Sequence, residues 1–529
     1  MNLNQLLIWT VSLSCVAFLI RAFRSNPRHH LGWVVVSGAI LAITLGGWIF
    51  VPDLAGLIGG LLWGIFCLVP LIGFKKVNKL IYQQRYKKAR ILASYLRWLH
   101  PADGWFEQPE ILRALTLGQK GQMEEAFRIL QSYQNIHSPI GRDAAILLYW
   151  MSSRWHECLT WMRQNFSEAT LHKEPSLAIF YLRSLGETGD LNGLLQGIKR
   201  SEKSVEKTGD SLRLNLLRMY GLAFCGEFED VEELFQTNLS NYSDNISRFW
   251  QLTAQSVAGK EVEQQWLILE NQNNQILKNS INFRRSQPLA KPKKVLSSSS
   301  QKILAHLKKE LRQEAKYSFV SKVKDKKAYG TFTLIALNIL VFLLEIRLGG
   351  SENIQVLSAL GALEPPQVWQ GQWWRLLNAN FLHFGYPHLF MNMIGLYFLG
   401  PYVELNLGIN RFLIIYLTSG IGTMFCFSLI TLYFGNPAQL LVGASAAIMG
   451  LLGAVGAILL KGWREERARI VRKRLRIFLF VVALQVVFDA AIPQVSGLAH
   501  ILGLILGFSI GSLLQGGRKS DGKMGKRGR

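Results

Sequence analysis

Cysteine and acidic side chains are the scarce chemistry of this chain. Its 529 residues hold five cysteines, Cys15, Cys67, Cys158, Cys225 and Cys426, odd in number and without a CxxC pair. That pattern indicates neither a disulfide framework nor a zinc ribbon, and buried, unpaired thiols are the expected state. No HExxH motif occurs: "RWHECL" offers His156 and Glu157 without the second histidine, so a metalloprotease is excluded and no metal or other cofactor is implied. The start "MNLNQLLIWT" has no positive leader region, and its apolar run continues to Ile20 without a small-residue cleavage site. It reads as a retained membrane helix, not a signal peptide.

What is abundant is apolar and basic. Hydrophobic residues make up 49% of the chain, while 59 Lys and Arg against 35 Asp and Glu give a formal net charge of +24. Apolar segments at 3–20, 31–51 and 54–74 are long enough, the first marginally, to cross a hydrocarbon core of about 30 Å at 1.5 Å per residue. Their basic connections "RAFRSNPRHH" and "KKVNKLIYQQRYKKAR" belong on the cytoplasmic side, which puts the N-terminus outside. Six further spans follow at 331–348, 387–402, 410–433, 441–460, 475–492 and 496–515. Entered from inside, their cytoplasmic connections include "KGWREERARIVRKRLR" and the tail "GRKSDGKMGKRGR", whereas the outer loops near 435–440 and 493–495 carry no Lys or Arg. Topology accounts for most of the positive charge, so no nucleic acid is needed as a partner.

Between the two membrane blocks, residues 77–320 contain no run long enough to span. A motif of helix, short turn and second helix recurs in "LRALTLGQKGQMEEAFRIL", "AILLYWMSSRWHECLTWM", "YLRSLGETGDLNGLLQGI" and "MYGLAFCGEFEDVEELF". The turn positions Gly121, Arg154, Gly189 and Gly226 lie 33, 35 and 37 residues apart, which resembles the period of tetratricopeptide-type helix pairs. Such a solenoid offers a concave face to a protein partner; an ordinary helical bundle is the plainer alternative. Residues 251–329, with "NQNNQ", "RRSQPLAKPKK" and "SSSSQ", read as a flexible linker followed by a basic amphipathic stretch from Gln301 to Lys327. That stretch suits either the anionic inner membrane face or solvent. The expected organisation is three N-terminal spans (1–76), a helical repeat domain (77–250), the linker (251–329), a six-span domain (330–516) and a basic tail (517–529), an all-α multi-span membrane protein.

Polar groups inside spans are functional candidates by default. His388 and Asn392, four residues apart, share one helical face of the second span of the block; Ser445 lies in the fourth and His500 in the sixth. Each falls within one or two turns of the outer end of its helix, about 5–10 Å deep at 1.5 Å per residue, so all four occupy one layer. Small residues permit lateral approach: Ala446 and Gly450 stripe the fourth span, and Gly503, Gly507 and Gly511 the sixth. A serine hydroxyl next to an imidazole base, with donors aimed at an oxyanion, makes an acyl-transfer site. No orienting carboxylate is assigned; Asp489, on the fifth span, is too weak a candidate. Glu404 reads as a partner for Arg411 or a helix-end amide.

The stretch 331–515 resembles the rhomboid intramembrane serine proteases in "NILVFLLE", "WWRLLNANFLHFGYPHLFMN", "VELNLGINRF", "VGASAAIMG" and "AHILGLILG". The resemblance implies a six-helix core, a Ser–His dyad of Ser445 and His500, and an oxyanion site of His388, Asn392 and the Ser445 amide. It also places Trp374 and Arg375 in an interfacial outer loop. Where the family has GxSG, this chain keeps Gly443 and Ser445 but carries Ala446. One extra methyl is expected to tighten the oxyanion pocket or the contact with the sixth helix without abolishing activity. Two functions remain: an endopeptidase that cuts transmembrane protein substrates near the outer face of the lipid bilayer, or a catalytically silent relative that holds clients recruited by the repeats. A transporter is disfavoured because the polar residues cluster on one side and not at the midplane.

Overall fold

Helical periodicity decides the local structure almost everywhere. The computed structural model describes residues 3–25, 30–133, 138–207, 210–287, 289–317, 328–435, 440–466, 469–491 and 496–515. Among the described residues the regular structure is helical, with one isolated bridge between Leu363 and Leu441 and no strand. The all-α expectation holds. The chain divides into two compact units, Met1–Lys309 and Glu310–Arg529.

Each expected span is a helix: Leu3–Ser25, Leu31–Phe50, Ala55–Tyr82, Tyr329–Arg347, Gly385–Leu407, Ile409–Phe434, Ser445–Glu466, Arg469–Ala491 and Gly497–Gln515. Six of them are long and apolar enough to cross a membrane by composition; Leu3–Ser25, Gly385–Leu407 and Arg469–Ala491 fall short. The last two fall short because they carry polar and charged residues such as Asn392, Glu404, Arg472 and Arg474. The loops at 436–439 and 492–495, the basic segment 318–327 and the tail 516–529 lie outside the described residues.

In the first unit no boundary falls at 76. The third helix runs through that position to Tyr82, and Phe74 and Val77 share one core with Ala89, Leu96, Ile111 and Leu115. Pro70 lacks an amide proton and crowds the turn before it, and that turn, Gly64–Leu68, is a π-helical one. At the start of the second helix, Gly32 N–H donates to Asp103 Oδ1 at 3.2 Å, while Asp103 Oδ2 lies 3.1 Å from His100 Nε2. A carboxylate there satisfies an orphan amide and meets the positive end of the helix.

The recurring helix pairs have one backbone device in common. Five turns close with a positive φ at Gly121, Ser153, Gly189, Gly226 and Gly259. At each, the next amide reaches back to a carbonyl five residues earlier: Gln122 to Leu117, Arg154 to Tyr149, Asp190 to Leu185, Glu227 to Leu222 and Lys260 to Gln255. This is the Schellman stop, and Gly adopts its left-handed residue without strain. The expected turn at Arg154 is thus centred one residue earlier, on Ser153.

The reading of 251–329 as a flexible linker is corrected. Helices Glu263–Glu270, Gln275–Ser286 and Ser298–Tyr317 occupy it, and Trp266, Ile276, Leu277 and Ile281 are buried. "NQNNQ" marks a helix start, where Asn274 Oδ1 accepts from Leu277 N–H, and not a chain break. Arg284, in the "RRSQ" stretch, is 2% exposed and its guanidinium lies 2.7 Å from the equally buried Glu187 carboxylate. The amphipathic stretch has also found a protein surface. Ile303 and Leu307 are buried, Leu307 packs against Gly221, and Lys308 pairs with Glu227 and Asp230. Among its described residues, the apolar stripe of Ile303, Leu307 and Leu311 is therefore not free to lie on lipid.

In the second unit the Ser445–Glu466 helix is central: 78% of its most apolar window is buried, against 44% for Ile409–Phe434 and 28% for Gly497–Gln515. Its closest neighbour is Gly497–Gln515. A Cβ on Gly507 would lie 2.0 Å from the Gly450 carbonyl oxygen and 2.3 Å from Gly450 Cα, and one on Gly503 would lie 2.3 Å from the Ala446 oxygen. The two backbones are in direct contact, as small residues allow. Glu404 accepts from Gly330 N–H, Thr331 N–H and Thr331 Oγ1, each at 2.8 Å, and so caps the entry helix Tyr329–Arg347. The helix-end reading of Glu404 is the correct one.

Gly507→Val should destabilise the second unit by at least about 1–3 kcal/mol, the usual penalty of overpacking. Gly46→Ala, where nothing lies within 4 Å, should stay within about 0.5 kcal/mol; thermal unfolding in detergent compares them. Glu187→Ala leaves Arg284 buried without its counter-charge, so the first unit should lose about 3–5 kcal/mol. Hydrogen exchange across Pro175–Glu187 and Gln275–Ser286 in the full chain measures that loss.

Candidate active site

Gly443 sets the geometry around the serine. Its φ of +126° stops the helix from extending upstream, so the chain before Ser445 is extended, and Leu441 pairs with Leu363 through two backbone bonds of 2.9 and 3.0 Å. The fourth span consequently begins at Ser445, not at 441 as expected, and the serine is the first helical residue. Gly443 N–H donates to Ala379 O at 2.8 Å, which ties this segment to the outer loop.

That position separates Ser445 from several mid-helix hydroxyls of the membrane block. Thr418, Ser419, Thr431 and Ser509 each bond to the carbonyl four residues back, the ordinary way a helix hides a hydroxyl. At the first helical residue no such carbonyl belongs to the helix. Among the described residues no hydrogen bond reaches Ser445 Oγ, and the side chain is only half buried between fully buried neighbours. Its amide is one of the unpaired donors at a positive helix end, where an anion is favoured.

His388 and Asn392 converge on the same place. A Cβ at Gly443 would lie 2.7 Å from His388 Cε1, 2.8 Å from His388 Nε2 and 3.5 Å from Asn392 Nδ2. Only glycine admits both the φ and the contact. Phe384 N–H points at His388 Nδ1 at 3.3 Å, so Nδ1 is the acceptor and the neutral ring carries its proton on Nε2, the atom that faces Gly443. Asn392 Nδ2 is buried and has no hydrogen-bond partner among the described residues. A buried amide left without an acceptor is unusual and is suited to a charge that forms only during reaction.

His500 is the fourth residue of its helix and 7% exposed. Its Nδ1 lies 2.9 Å from both carboxylate oxygens of Asp489. The expectation that no carboxylate orients this ring is therefore corrected. Asp489 is the third residue from the end of Arg469–Ala491 and lies at the depth of His500, and that shared depth was the signal in the sequence. The expected Ser445–His500 bond is not formed within the described residues. Catalytic hydrogen bonds are commonly long before substrate binds.

Other assignments change in role. Arg375 is 4% exposed and donates to Ser358 O at 2.9 Å, Ala362 O at 2.7 Å and Gln372 Oε1 at 2.7 Å. It staples the outer loop from within and is not an interfacial anchor; Trp374, 46% exposed, keeps that possibility. The Ala446 methyl joins an apolar cluster with Leu363, Val368, Leu376, Met424, Phe427 and Ala499. Gly450 packs on Ser419 as well as on Gly507. His383, fully buried, donates its amide N–H to Glu345 Oε1 and lies with its ring 5.3 Å from that of His388, as a wall of the site.

The rhomboid domain matches residues 370–516. Rhomboid protease GluP of Bacillus subtilis is 38% identical over 199 residues, 37% of this chain and 36% of that protein. RHOMBOID-like protein 6, mitochondrial, of Arabidopsis thaliana is 38% identical over 159 residues, 30% of this chain and 49% of the relative. This chain thus spans about a third to a half of the length of these two relatives. No solved structure matches. The rhomboid protein YdcA of Bacillus subtilis is 33% identical over 147 residues, 28% of this chain and 69% of that protein, and with the matching domain it places this chain in the rhomboid family.

Proposed function

We propose that the chain is an intramembrane serine endopeptidase in which Ser445 is the nucleophile and His500 its base. The observation that carries this reading is the unbonded Ser445 hydroxyl at a helix start, two residues after a glycine faced by His388 Nε2 and by the unpartnered Asn392 amide. In the first step the Ser445 proton passes to His500 Nε2 while Oγ bonds the scissile carbonyl carbon, and the carbonyl electron pair moves onto oxygen. That oxyanion receives the His388 Nε2–H, an Asn392 amide proton and the Ser445 N–H. Collapse expels the amine, which takes the proton from His500, and water then releases the acyl group by the same route.

The substrate class follows from the site's depth. A serine at the outer end of a central helix suits single-span proteins cut near the outer surface, at helices weakened by Gly, Pro or polar residues. The helix pairs of the first unit serve as a recruitment surface for a protein partner, in the manner of tetratricopeptide-type repeats. The N-terminus lies outside, and the repeat region and C-terminus lie in the cytoplasm. In support, the start of the second helix meets the later part of the third, where the Trp33 and Phe74 rings lie 6.4 Å apart, as two cytoplasmic ends should.

Native protein in detergent should label with a serine-directed fluorophosphonate, and Ser445→Ala and His500→Ala should abolish labelling. Labelling that survives Ser445→Ala would end the assignment, and labelling of no form would favour a silent, client-binding relative. Asn392→Ala and His388→Ala should each lower kcat on a single-span reporter by about 10²–10³. For topology, Gln370→Cys should react with an impermeant maleimide on intact cells and Trp463→Cys only after permeabilisation. Cys426, the one half-buried native thiol, is replaced by serine in both forms.

A further inference from the structure

His500 has two ring nitrogens, and the reaction needs a particular one free. As a neutral base it must present an unprotonated nitrogen to Ser445 while the other carries the proton. Asp489 holds Nδ1 between its two oxygens, each at 2.9 Å. An ionised carboxylate only accepts, so Nδ1 must donate and Nε2 must be the free nitrogen. We infer that Asp489 is a positioning residue that fixes the tautomer and orientation of His500, completing a Ser445–His500–Asp489 arrangement; this rests on the protease reading given above.

Two further contacts define the pair. Gln485, one turn before Asp489, donates from Nε2 to Asp489 Oδ1 at 2.7 Å and so fixes the carboxylate in turn. The same Gln485 nitrogen is 3.4 Å from His500 Nδ1, but two donors cannot bond, and the amide is spent on the acid. The side chains of both Asp489 and His500 are 8% exposed, so the pair is shielded from competing water.

The plainer role for Asp489 is that of an acid near the start of the histidine helix, since a Cβ on Gly497 would approach it at 3.5 Å. That role is already filled. Ser496 Oγ accepts from Ala499 N–H at 3.3 Å, and Ser496 O accepts from His500 N–H at 3.2 Å. What Asp489 adds is a bond to the imidazole itself.

The test uses the full chain in detergent, with Asp489→Asn and Asp489→Glu beside the native protein and Ser445→Ala. On a single-span reporter, Asp489→Asn should lower kcat by between about 10²- and 10⁴-fold, the range a general base contributes, with KM within about twofold. Asp489→Glu should recover part of that loss, and the melting temperature of Asp489→Asn should stay near the native value. In ¹⁵N spectra near pH 8, with His500→Ala identifying the resonances, native His500 should carry its proton on Nδ1. A kcat for Asp489→Asn within about threefold of native overturns the assignment, as does a native His500 protonated on Nε2. If the native protein neither labels nor cleaves, the protease reading fails, and the proton position still decides the role of Asp489.

Discussion

The backbone contact between the serine helix and the histidine helix is the constraint on which the second unit depends. Where Gly507 meets Gly450 and Gly503 meets the Ala446 carbonyl, no side chain intervenes. In lipid such contacts gain little from the hydrophobic effect, so close packing itself must hold the helices together. The contact fixes both the separation and the vertical register of the two helices. A side chain on either glycine would push His500 away from the layer of Ser445, and no rotamer change would restore it. Gly450 extends the same logic to a third helix through Ser419.

Once that register is set, the buried carboxylates of the block can each be read by what they bind. Glu404 takes three donors at the start of Tyr329–Arg347, and Glu345 accepts the His383 amide. Asp489 takes the imidazole of His500. None is left as an isolated charge, which a low-dielectric interior would not tolerate. Arg375 obeys the same rule with opposite sign, its donors spent on two loop carbonyls and Gln372. Among the buried polar groups of the described residues that are left without a partner, the Asn392 amide is the one that lies against Gly443, where a transient negative charge would form.

The spans, the common face of His388 and Asn392, and the glycine stripe were legible because each depends on periodicity along one helix. What was not legible depended on which surfaces meet. Asp489 was visible as an acid in an apolar helix, but its partner lies eleven residues on, across a loop. Arg375 followed aromatic residues and was placed with Trp374 in an interfacial loop, because the carbonyls that bind it leave no mark in composition. The polar segment around Arg284 resembled a linker, yet Trp266, Ile276, Leu277, Ile281 and that one arginine are buried. Polar composition predicts exposure only while the charges lack buried partners.

Ala446 shows how the two kinds of information combine. From the sequence its methyl threatened either the oxyanion pocket or the helix contact, because both adjoin the serine. The structure separates the faces of this residue. Its carbonyl meets Gly503, while its methyl lies in the apolar cluster with Leu363, Val368, Met424 and Phe427. The close approach therefore requires a small residue at 503, on the opposite helix, and not at 446. The surface facing His388 and Asn392 belongs to Gly443, where both the positive φ and the contact forbid a Cβ. Of the two glycines in the family pattern, the one kept here is the one whose loss the geometry could not absorb; at the other, alanine adds packing and favours the helical state of the turn that carries the nucleophile.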